Sequence, residues 1–266
     1  MFAKIHIKAF IGLFFLSSLI FGQNSKSKNN LVKVLSFNIL HGANTNGSFD
    51  LDVIANVIKK ADADFVSLQE VDFRTNRAKK YDLPTELGNR TKMASIFGRA
   101  MYYDDGEYGE GILSKTSFLS TRNVALPYTK GNEPRAALEI STVLKSGDTI
   151  SFIGTHLDHL ENDIDRVSQV KEINKVFSKN KYPTILSGDL NDVPNSRVIN
   201  ILERFWKSSY NRSDSKKTYP SENPTQKIDY VLFYPRKKWK VIERETICDT
   251  IASDHCGYLV TLELQD

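Results

Sequence analysis

The chain has 266 residues, of which 40% are hydrophobic and 26% are charged, as in an ordinary globular protein. A chain of this length can bury the core of one large domain, and two small domains are the less favoured alternative. The formal net charge is only +4, so the charge balance does not support a strongly basic class of protein that binds polyanions.

The first 22 residues have the pattern of a signal peptide. Two lysines precede an apolar stretch over residues 9–21, and Gly22 is a small residue before the expected cut. The stretch is too short for a comfortable membrane span. We therefore expect an exported protein, periplasmic or extracellular, in which residues 23–31 form a short polar lead-in and residues 32–266 form the folded domain. Cleavage would leave 34 basic and 32 acidic side chains, a net charge of +2.

The predicted elements begin with a β-α-β unit. The apolar run over residues 32–40 predicts a buried strand, and residues 64–71 show the same texture. Between them, the apolar residues of 50–60 recur on one helical face, which predicts a helix with Ser48 or Asp50 as its N-cap.

From residue 96 onward the pattern changes to short strands separated by turn residues, which is typical of antiparallel sheet. The further predicted strands cover 95–103, 110–115, 118–126, 135–144, 149–157, 182–190, 227–234, 239–247 and 257–264, and the further helices cover 84–94, 161–179 and 196–205. Both halves of the chain mix strands and helices, and no linker separates them. We therefore predict a single α/β domain, of mixed α+β type, in which packed sheets lie under outer helices.

Polar residues lie repeatedly at the ends of the predicted strands. They are Asn38, Glu70, His156, Asp189, Asn191, Asp229, Asp254 and His255. Strand ends of one domain can converge on one edge, which is where α/β folds place their functional sites. We therefore expect these side chains to form a single site.

Each of these residues also has an ordinary structural explanation when it is taken alone. The segment SGDLND, residues 187–192, is rich in turn residues, and Asp229 can act as a cap or an ion-pair partner. The whole set is harder to explain in this way, because burying a polar group without a partner costs about 1–3 kcal/mol. Carboxylate and amide oxygens suit Mg²⁺ or Mn²⁺, and nearby histidines can donate to a charged oxygen. The combination indicates metal-assisted hydrolysis of a phosphoester.

In chain order these motifs resemble those of the endonuclease/exonuclease/phosphatase family. The motifs are SFNIL around Asn38, LQEVD around Glu70, GTHLD around His156, GDLND around Asp189 and Asn191, IDYVL around Asp229, and SDH at 253–255. Members of the family include DNase I-like nucleases, apurinic endonucleases, inositol polyphosphate phosphatases and neutral sphingomyelinases. The resemblance runs from residue 32 to residue 264. It implies a four-layer sandwich of two packed, mostly antiparallel β-sheets flanked by helices.

The resemblance also implies a metal site. Glu70 would be the principal ligand, and Asn38 and Asp254 would complete the site directly or through water. The cofactor would be Mg²⁺ or Mn²⁺, as one ion or as two.

The same resemblance implies the roles of the catalytic residues. Asp189, helped by Asn191, would activate or orient the attacking water. His255 would contact the scissile phosphate, and Asp229 would hold the other ring nitrogen of His255. His156 would donate to a phosphate oxygen or near the leaving group.

Two further residues lie at positions that resemble the family's phosphate cleft. The family often lines that cleft at the positions of Tyr108 and Arg135, and for Arg135 a structural ion pair is an equal alternative. Glu110, in the segment YGEGILS, stands where the family often has asparagine, and we expect a surface acid there. His41 either lines the cleft or packs on it.

Cys248 and Cys256 are the chain's two cysteines. Export permits a disulfide, and a separation of eight residues is feasible across a bend. Two buried thiols are the favoured alternative.

The expected function is that of an exported, metal-dependent phosphoester hydrolase that uses direct attack of water. The near-neutral charge favours a lipid headgroup or a small molecule as substrate, for a protein that acts as a monomer. A DNase I-like nuclease is the first alternative, and a secreted binding module that has lost its chemistry is the second.

Overall fold

The computed structural model describes residues 1–2 and 30–265. The predicted signal peptide, apart from Met1 and Phe2, and most of the predicted lead-in lie outside the described residues. Within the part that is described, none of the helices has the length and apolar character that crossing a membrane requires.

The described chain contains twelve strands and four α-helices. The strands are β1 Leu31–Asn38, β2 Phe65–Phe73, β3 Ala94–Tyr103, β4 Gly106–Ser114, β5 Phe118–Leu126, β6 Arg135–Val143, β7 Thr149–His156, β8 Thr184–Asp189, β9 Lys207–Ser208, β10 Asp229–Tyr234, β11 Trp239–Ile247 and β12 Gly257–Leu264. The helices are α1 Leu51–Ala61, α2 Leu83–Thr91, α3 Ile164–Phe177 and α4 Arg197–Leu202.

The strands form two six-stranded sheets, with the orders β11-β12-β1-β2-β4-β3 and β5-β6-β7-β8-β10-β9. In each sheet one central pair is parallel, β1 with β2 and β7 with β8. The remaining pairs are antiparallel. The two parallel pairs contact each other across the sandwich. The carboxyl ends of their four strands therefore meet at one edge, where α/β folds place their sites.

Three layers of apolar side chains hold the sandwich together. Residues such as Val34 and Phe152 fill the space between the sheets. The outer face of the first sheet packs against α1 and α2 through residues such as Ile54. The outer face of the second sheet packs against α3 and α4 through residues such as Ile173 and Trp206. The predicted four-layer sandwich of mostly antiparallel sheets is confirmed.

A few local features differ from the predictions. Helix α3 begins at Ile164, three residues later than predicted, because Asn162 Oδ1 accepts a hydrogen bond from Ile164 N and holds a turn there. Of the two predicted N-caps of α1, Asp50 is the one that accepts a bond from the helix, and Ser48 is not. The two-residue strand over 207–208 was not predicted, because its only support is its long-range pairing with β10.

Candidate active site

A cleft of about 490 Å³ opens at the edge where the parallel strand pairs end. Seven of the predicted site residues line it: Glu70, Tyr108, His156, Asp189, Asn191, Asp254 and His255. The other three, Asn38, Arg135 and Asp229, are at most 2% exposed, and they contact the lining residues from behind. The structure therefore brings all ten predicted residues together.

Glu70 is aimed at the cleft by an irregularity in β2. The pairing of β2 with β4 breaks between Leu68 and Val71, and Glu70 has a positive φ of 55°. Such a bulge re-aims one side chain at the cost of local strain, and these features concentrate at functional sites. Asn38 Nδ2 donates to Glu70 Oε1 at 3.1 Å, and His41 Nδ1 lies 3.6 Å from Glu70 Oε2. Burial opposes ionisation of Glu70, but these contacts outweigh it and lower the pKa of the carboxyl group to about 2.

His255 lies between two buried carboxylates. Its Nδ1 is 3.0 Å from Asp229 Oδ2, and its Nε2 is 3.6 Å from Asp189 Oδ2. Burial opposes protonation of the ring, but the two carboxylates outweigh it and raise the pKa of His255. Burial raises the pKa of Asp189, and the neighbouring imidazolium opposes this rise without cancelling it. A buried carboxylate with a raised pKa is suited to accept a proton from water.

The segment SGDLND is both a turn and a part of this site. Asp189 and His156 are register partners at the ends of the parallel strands β8 and β7. Gly188 permits this close pairing, because a Cβ atom at that position would collide with the carbonyl oxygen of Thr155. Asn191 has a left-handed backbone with a φ of 49°, and its N–H donates to Asp189 Oδ1 at 2.9 Å. The turn residues therefore hold the carboxylate of Asp189 in place.

His156 is buried between Arg135 and Asp189. Arg135 Nη1 lies 3.3 Å from His156 Nδ1, and Asn191 Nδ2 lies 2.9 Å from His156 Nε2. Asp189 Oδ2 lies 3.5 Å from the same Nε2. Burial and the charge of Arg135 lower the pKa of His156, so the ring is neutral. His156 therefore brings a neutral imidazole to the lining of the cleft.

Arg135 is a buried cation that supports one wall of the cleft. Its guanidinium contacts the hydroxyl group of Tyr108 at 3.5 Å, His159 Nδ1 at 3.1 Å and Glu133 Oε2 at 2.8 Å. Its Nε has no hydrogen-bond partner among the described residues. The ion-pair alternative is thus present in the structure through Glu133, and it leaves Arg135 beside the predicted phosphate position.

The expectation that Glu110 is a surface acid is wrong. Glu110 is 1% exposed, because β4 is an interior strand of the first sheet and residue 110 faces the second sheet. It shares this face with Tyr108 and Ile112, two residues away on either side. Burial raises the pKa of Glu110, although the nearby charge of Arg135 opposes the rise. The polar residues of the segment YGEGILS did not indicate that Glu110 lies in the interior.

A disulfide closes the loop that carries Asp254 and His255. Cys248 and Cys256 are bonded; Cys248 directly follows the last residue of β11, and Cys256 directly precedes the first residue of β12. The favoured alternative of two buried thiols is therefore wrong, and Cys248 is in fact exposed. Opposite positions of an antiparallel pair come close enough for the bond, with 4.2 Å between the two Cα atoms.

Replacing both cysteines by serine is expected to lower the free energy of unfolding by about 2–3 kcal/mol, because the open loop gains entropy in the unfolded chain. Denaturant unfolding of the wild type and of the Cys248→Ser/Cys256→Ser variant measures the difference. A reductant should shift the midpoint of the wild type and leave that of the double variant unchanged. Equal midpoints for the oxidised and fully reduced wild type would contradict the prediction.

The groups around Glu70 fit a hard divalent cation. The side chain of Glu70 is 26% exposed toward the cleft, and Asp254 lines the same cleft. Asn38 Nδ2 lies 3.1 Å from Glu70 Oε1 and 3.3 Å from Asp189 Oδ2, so it joins the two acids. Carboxylate oxygens such as those of Glu70 and Asp254 are ligands that suit Mg²⁺ or Mn²⁺. The buried Asp–His–Asp group around His255 also has ligand atoms within 4.8 Å of one another, but a protonated His255 does not bind a cation.

The sequence did not indicate the other residues that line the cleft. These are Arg77, Met101, Tyr103, Glu133, His159, Tyr219, Gln226 and Ile228, together with His41, for which two alternatives were open. Most of them lie away from the predicted strand ends, in segments where a polar side chain is usually solvated. The ring of Tyr219 lies 4.8 Å from that of His255, centroid to centroid. Only the tertiary arrangement shows that such residues belong to the site.

This fold and site define the class of protein. The Endonuclease/Exonuclease/phosphatase family model matches residues 35–255, and the chain belongs to that family. It is a metal-dependent hydrolase that acts on phosphoester bonds.

The chain is similar in fold to several solved structures. A family protein from Bacteroides thetaiotaomicron has a TM-score of 0.72 at 19% identity, over 89% of this chain and 98% of that one. The mannosyl-6-phosphatase of the same organism has a TM-score of 0.64 at 19% identity, over 87% and 99%. The catalytic domain of human Nocturnin, with bound sulfate anion, has a TM-score of 0.66 at 16% identity, over 89% and 95%. At these identities the likeness concerns the fold.

Proposed function

We propose that this protein is an exported, Mg²⁺-dependent hydrolase of a small-molecule phosphoester, which acts by direct attack of water and forms no covalent enzyme intermediate. The observation that carries the proposal is the buried pair of Asp189 and His255 facing the cleft beside Glu70. Export is supported by the signal-peptide pattern of residues 1–22 and by the disulfide, which is a bond typical of oxidising compartments.

The roles of the acidic residues follow from their positions. Glu70, Asn38 and Asp254 would hold the divalent cation, which supplies charge stabilisation to the phosphate when it is bound. Asp189 would orient the attacking water and accept its proton, because burial raises the pKa of this carboxyl group. The N–H of Asn191 donates to one oxygen of Asp189 and the amide group of Asn38 donates to the other, so the carboxylate is held in position for this task.

The basic residues would stabilise the charge that builds on the phosphate. His255 is held as a cation by Asp229 and presents its Nε2 side to the cleft. His156 presents its neutral imidazole to the cleft, and Arg135 contacts it from behind. Preorganised donors in a buried site are the usual source of transition-state stabilisation.

The shape of the cleft supports a small substrate over a nucleic acid. A volume of about 490 Å³ lies in the usual range of small-molecule sites. Arg77 is the one Lys or Arg side chain that lines it in the described part of the chain. A nuclease would need several cations along the path of a phosphate backbone.

The lining also supports a polar substrate over a lipid chain. Met101 and Ile228 are the aliphatic residues of the described lining, and the others are charged, amide, histidine or tyrosine side chains. A binding module that has lost its chemistry is disfavoured, because all ten predicted site residues are present and lie together.

A substrate panel tests the proposal. Plasmid DNA, sphingomyelin, phosphatidylinositol, bis-p-nitrophenyl phosphate, p-nitrophenyl phosphate and hexose 6-phosphates would each be incubated with Mg²⁺ and with a chelator. The hexose esters are included because a structural neighbour is named a mannosyl-6-phosphatase. We expect hydrolysis of at least one small soluble ester with Mg²⁺ and of none with the chelator. Cleavage of DNA alone would reject the proposal of a small-molecule substrate. Cleavage of none of these compounds would reject the proposal that the protein is a phosphoester hydrolase.

A further inference from the structure

Arg77 is held rigidly at the wall of the cleft. Its Nε and Nη2 donate to the two carboxylate oxygens of Asp72 at 2.7 and 2.8 Å. Asp72 is fully buried and is also bonded to Thr75. The guanidinium carbon lies 4.5 Å from the ring centroid of Tyr103 and 5.6 Å from that of Tyr108. A bidentate ion pair stacked on aromatic rings fixes the orientation of the guanidinium group.

This arrangement leaves a hydrogen-bond donor for a ligand. The Nη1 group of Arg77 makes no hydrogen bond to any residue that the structure describes. The side chain is 32% exposed, and Arg77 lines the cleft. An arginine that served only to hold its loop would have no need to lie at the wall of the substrate cleft. Arg77 therefore carries a free donor at the wall of the cleft.

Arg77 is distinct from the cation beside the predicted phosphate position. Arg135 contacts His156. Tyr108 contacts both arginines and so lies between them. The charge of Arg77 is balanced by Asp72, so its free N–H groups suit a neutral oxygen better than a second phosphate. Glu133, on the same lining, adds an acceptor. A hydroxyl group both donates and accepts, so it can use the donor and the acceptor that this lining offers.

We infer that Arg77 binds hydroxyl groups of the substrate's leaving alcohol, and that the substrate is accordingly a phosphorylated sugar or similar polyol. The inference rests on the proposed function and adds the part of the substrate that is recognised. Arg77 is then a residue that determines specificity, whereas the phosphate and the metal are bound by the residues described above.

The test compares two kinds of phosphate ester, which differ in their hydroxyl groups. Glucose 6-phosphate and mannose 6-phosphate have hydroxyl groups on the ring. Cyclohexylmethyl phosphate has a six-membered ring and the same kind of phosphate ester, but no hydroxyl groups on the ring. The variant is Asp72→Asn/Arg77→Gln, which avoids leaving a buried carboxylate unpaired. We expect its kcat/KM to fall about 10- to 100-fold for one or both hexose phosphates and less than about 3-fold for the cyclohexylmethyl ester. An equal loss for both kinds of ester would overturn the inference.

Arg99→Gln is the matched control. Arg99 also pairs with an acid, Glu107, at 2.8 Å and stacks 4.2 Å from the ring centroid of Tyr102, but it does not line the cleft. It should leave both kcat/KM values unchanged. Arg77→Lys keeps the charge without the fixed fork, so it should lose selectivity while unfolding close to the wild-type temperature.

A binding measurement separates this inference from the proposed function. In the Asp189→Asn background, calorimetry with Mg²⁺ present reports the affinity for the same esters without turnover. Tighter binding of a hexose phosphate than of the cyclohexylmethyl ester, lost with Asp72→Asn/Arg77→Gln, supports the inference whether or not the wild type hydrolyses the ester. Equal or absent binding of both kinds of ester overturns it, even when the panel shows hydrolysis of another phosphoester.

Discussion

Replacing Asp189 by asparagine is expected to lower kcat by about 10³- to 10⁴-fold, as for the loss of a general base. Asparagine has nearly the same shape, but it cannot accept a proton from the attacking water. The buried carboxylate also helps to keep His255 protonated, since the two side chains lie 3.6 Å apart. The variant therefore loses the base and weakens the cation at the same time. Initial rates at saturating substrate measure kcat, and circular dichroism and thermal unfolding check the fold.

Asp64→Asn is the matched control for Asp189. Asp64 lies at the opposite end of β2 and accepts a hydrogen bond from Lys33 N at 2.9 Å. Its replacement should leave kcat unchanged, because it cannot reach the cleft. If the Asp189 variant kept kcat within about tenfold of the wild type, Asp189 would not be the base of the reaction.

Removing the metal, or its principal ligand, is expected to abolish most of the activity. Chelation should stop hydrolysis, and adding Mg²⁺ or Mn²⁺ should restore it, because these ions accept the oxygen donors around Glu70. Glu70→Gln should raise the Mg²⁺ concentration for half-maximal activity by about 100-fold or more, since a lost ligand costs at least as much as a lost supporting group. Titration of the rate with Mg²⁺ measures this shift.

A second measurement tests Glu70 without relying on activity. An ion that binds the folded state raises its unfolding temperature, so Mg²⁺ should stabilise the wild type and should stabilise Glu70→Gln much less. Glu107→Gln is the control, because Glu107 is an acid of β4 whose partner is Arg99. Full activity of the wild type in excess chelator would contradict the metal requirement, and unchanged stabilisation of Glu70→Gln would remove Glu70 from the metal site.

Most of the fold was predictable because local patterns specify its elements. The buried strands β1 and β2 are runs of apolar side chains, and the cap of α1 at Asp50 is a local hydrogen bond. Such features depend on residues a few positions apart, so they are visible in the sequence. The strand over 207–208 is not of this kind, because a two-residue strand exists only through its partner β10.

The site was predictable as a set of residues, but its internal contacts were not. Asn38, Glu70 and Asp189 adjoin recognisable strands, so their place at the edge follows from the strand pattern. Arg77 has no such signal, since an arginine in a polar loop is usually solvated. Its place at the wall depends on Asp72, which is buried and holds it there. The pairing partner of a side chain is a property of the packed structure.

The sequence by itself determined the order of strands and helices, the polar residues at the strand ends and the family to which the chain belongs. Only the tertiary structure decided that Glu110 is buried, that Cys248 and Cys256 are bonded, and that Arg77 lines the cleft. The physical reason is the range of the interactions. Capping and hydrophobic periodicity act over a few residues of one segment, whereas burial and partner choice at these positions depend on which strands and loops lie alongside them.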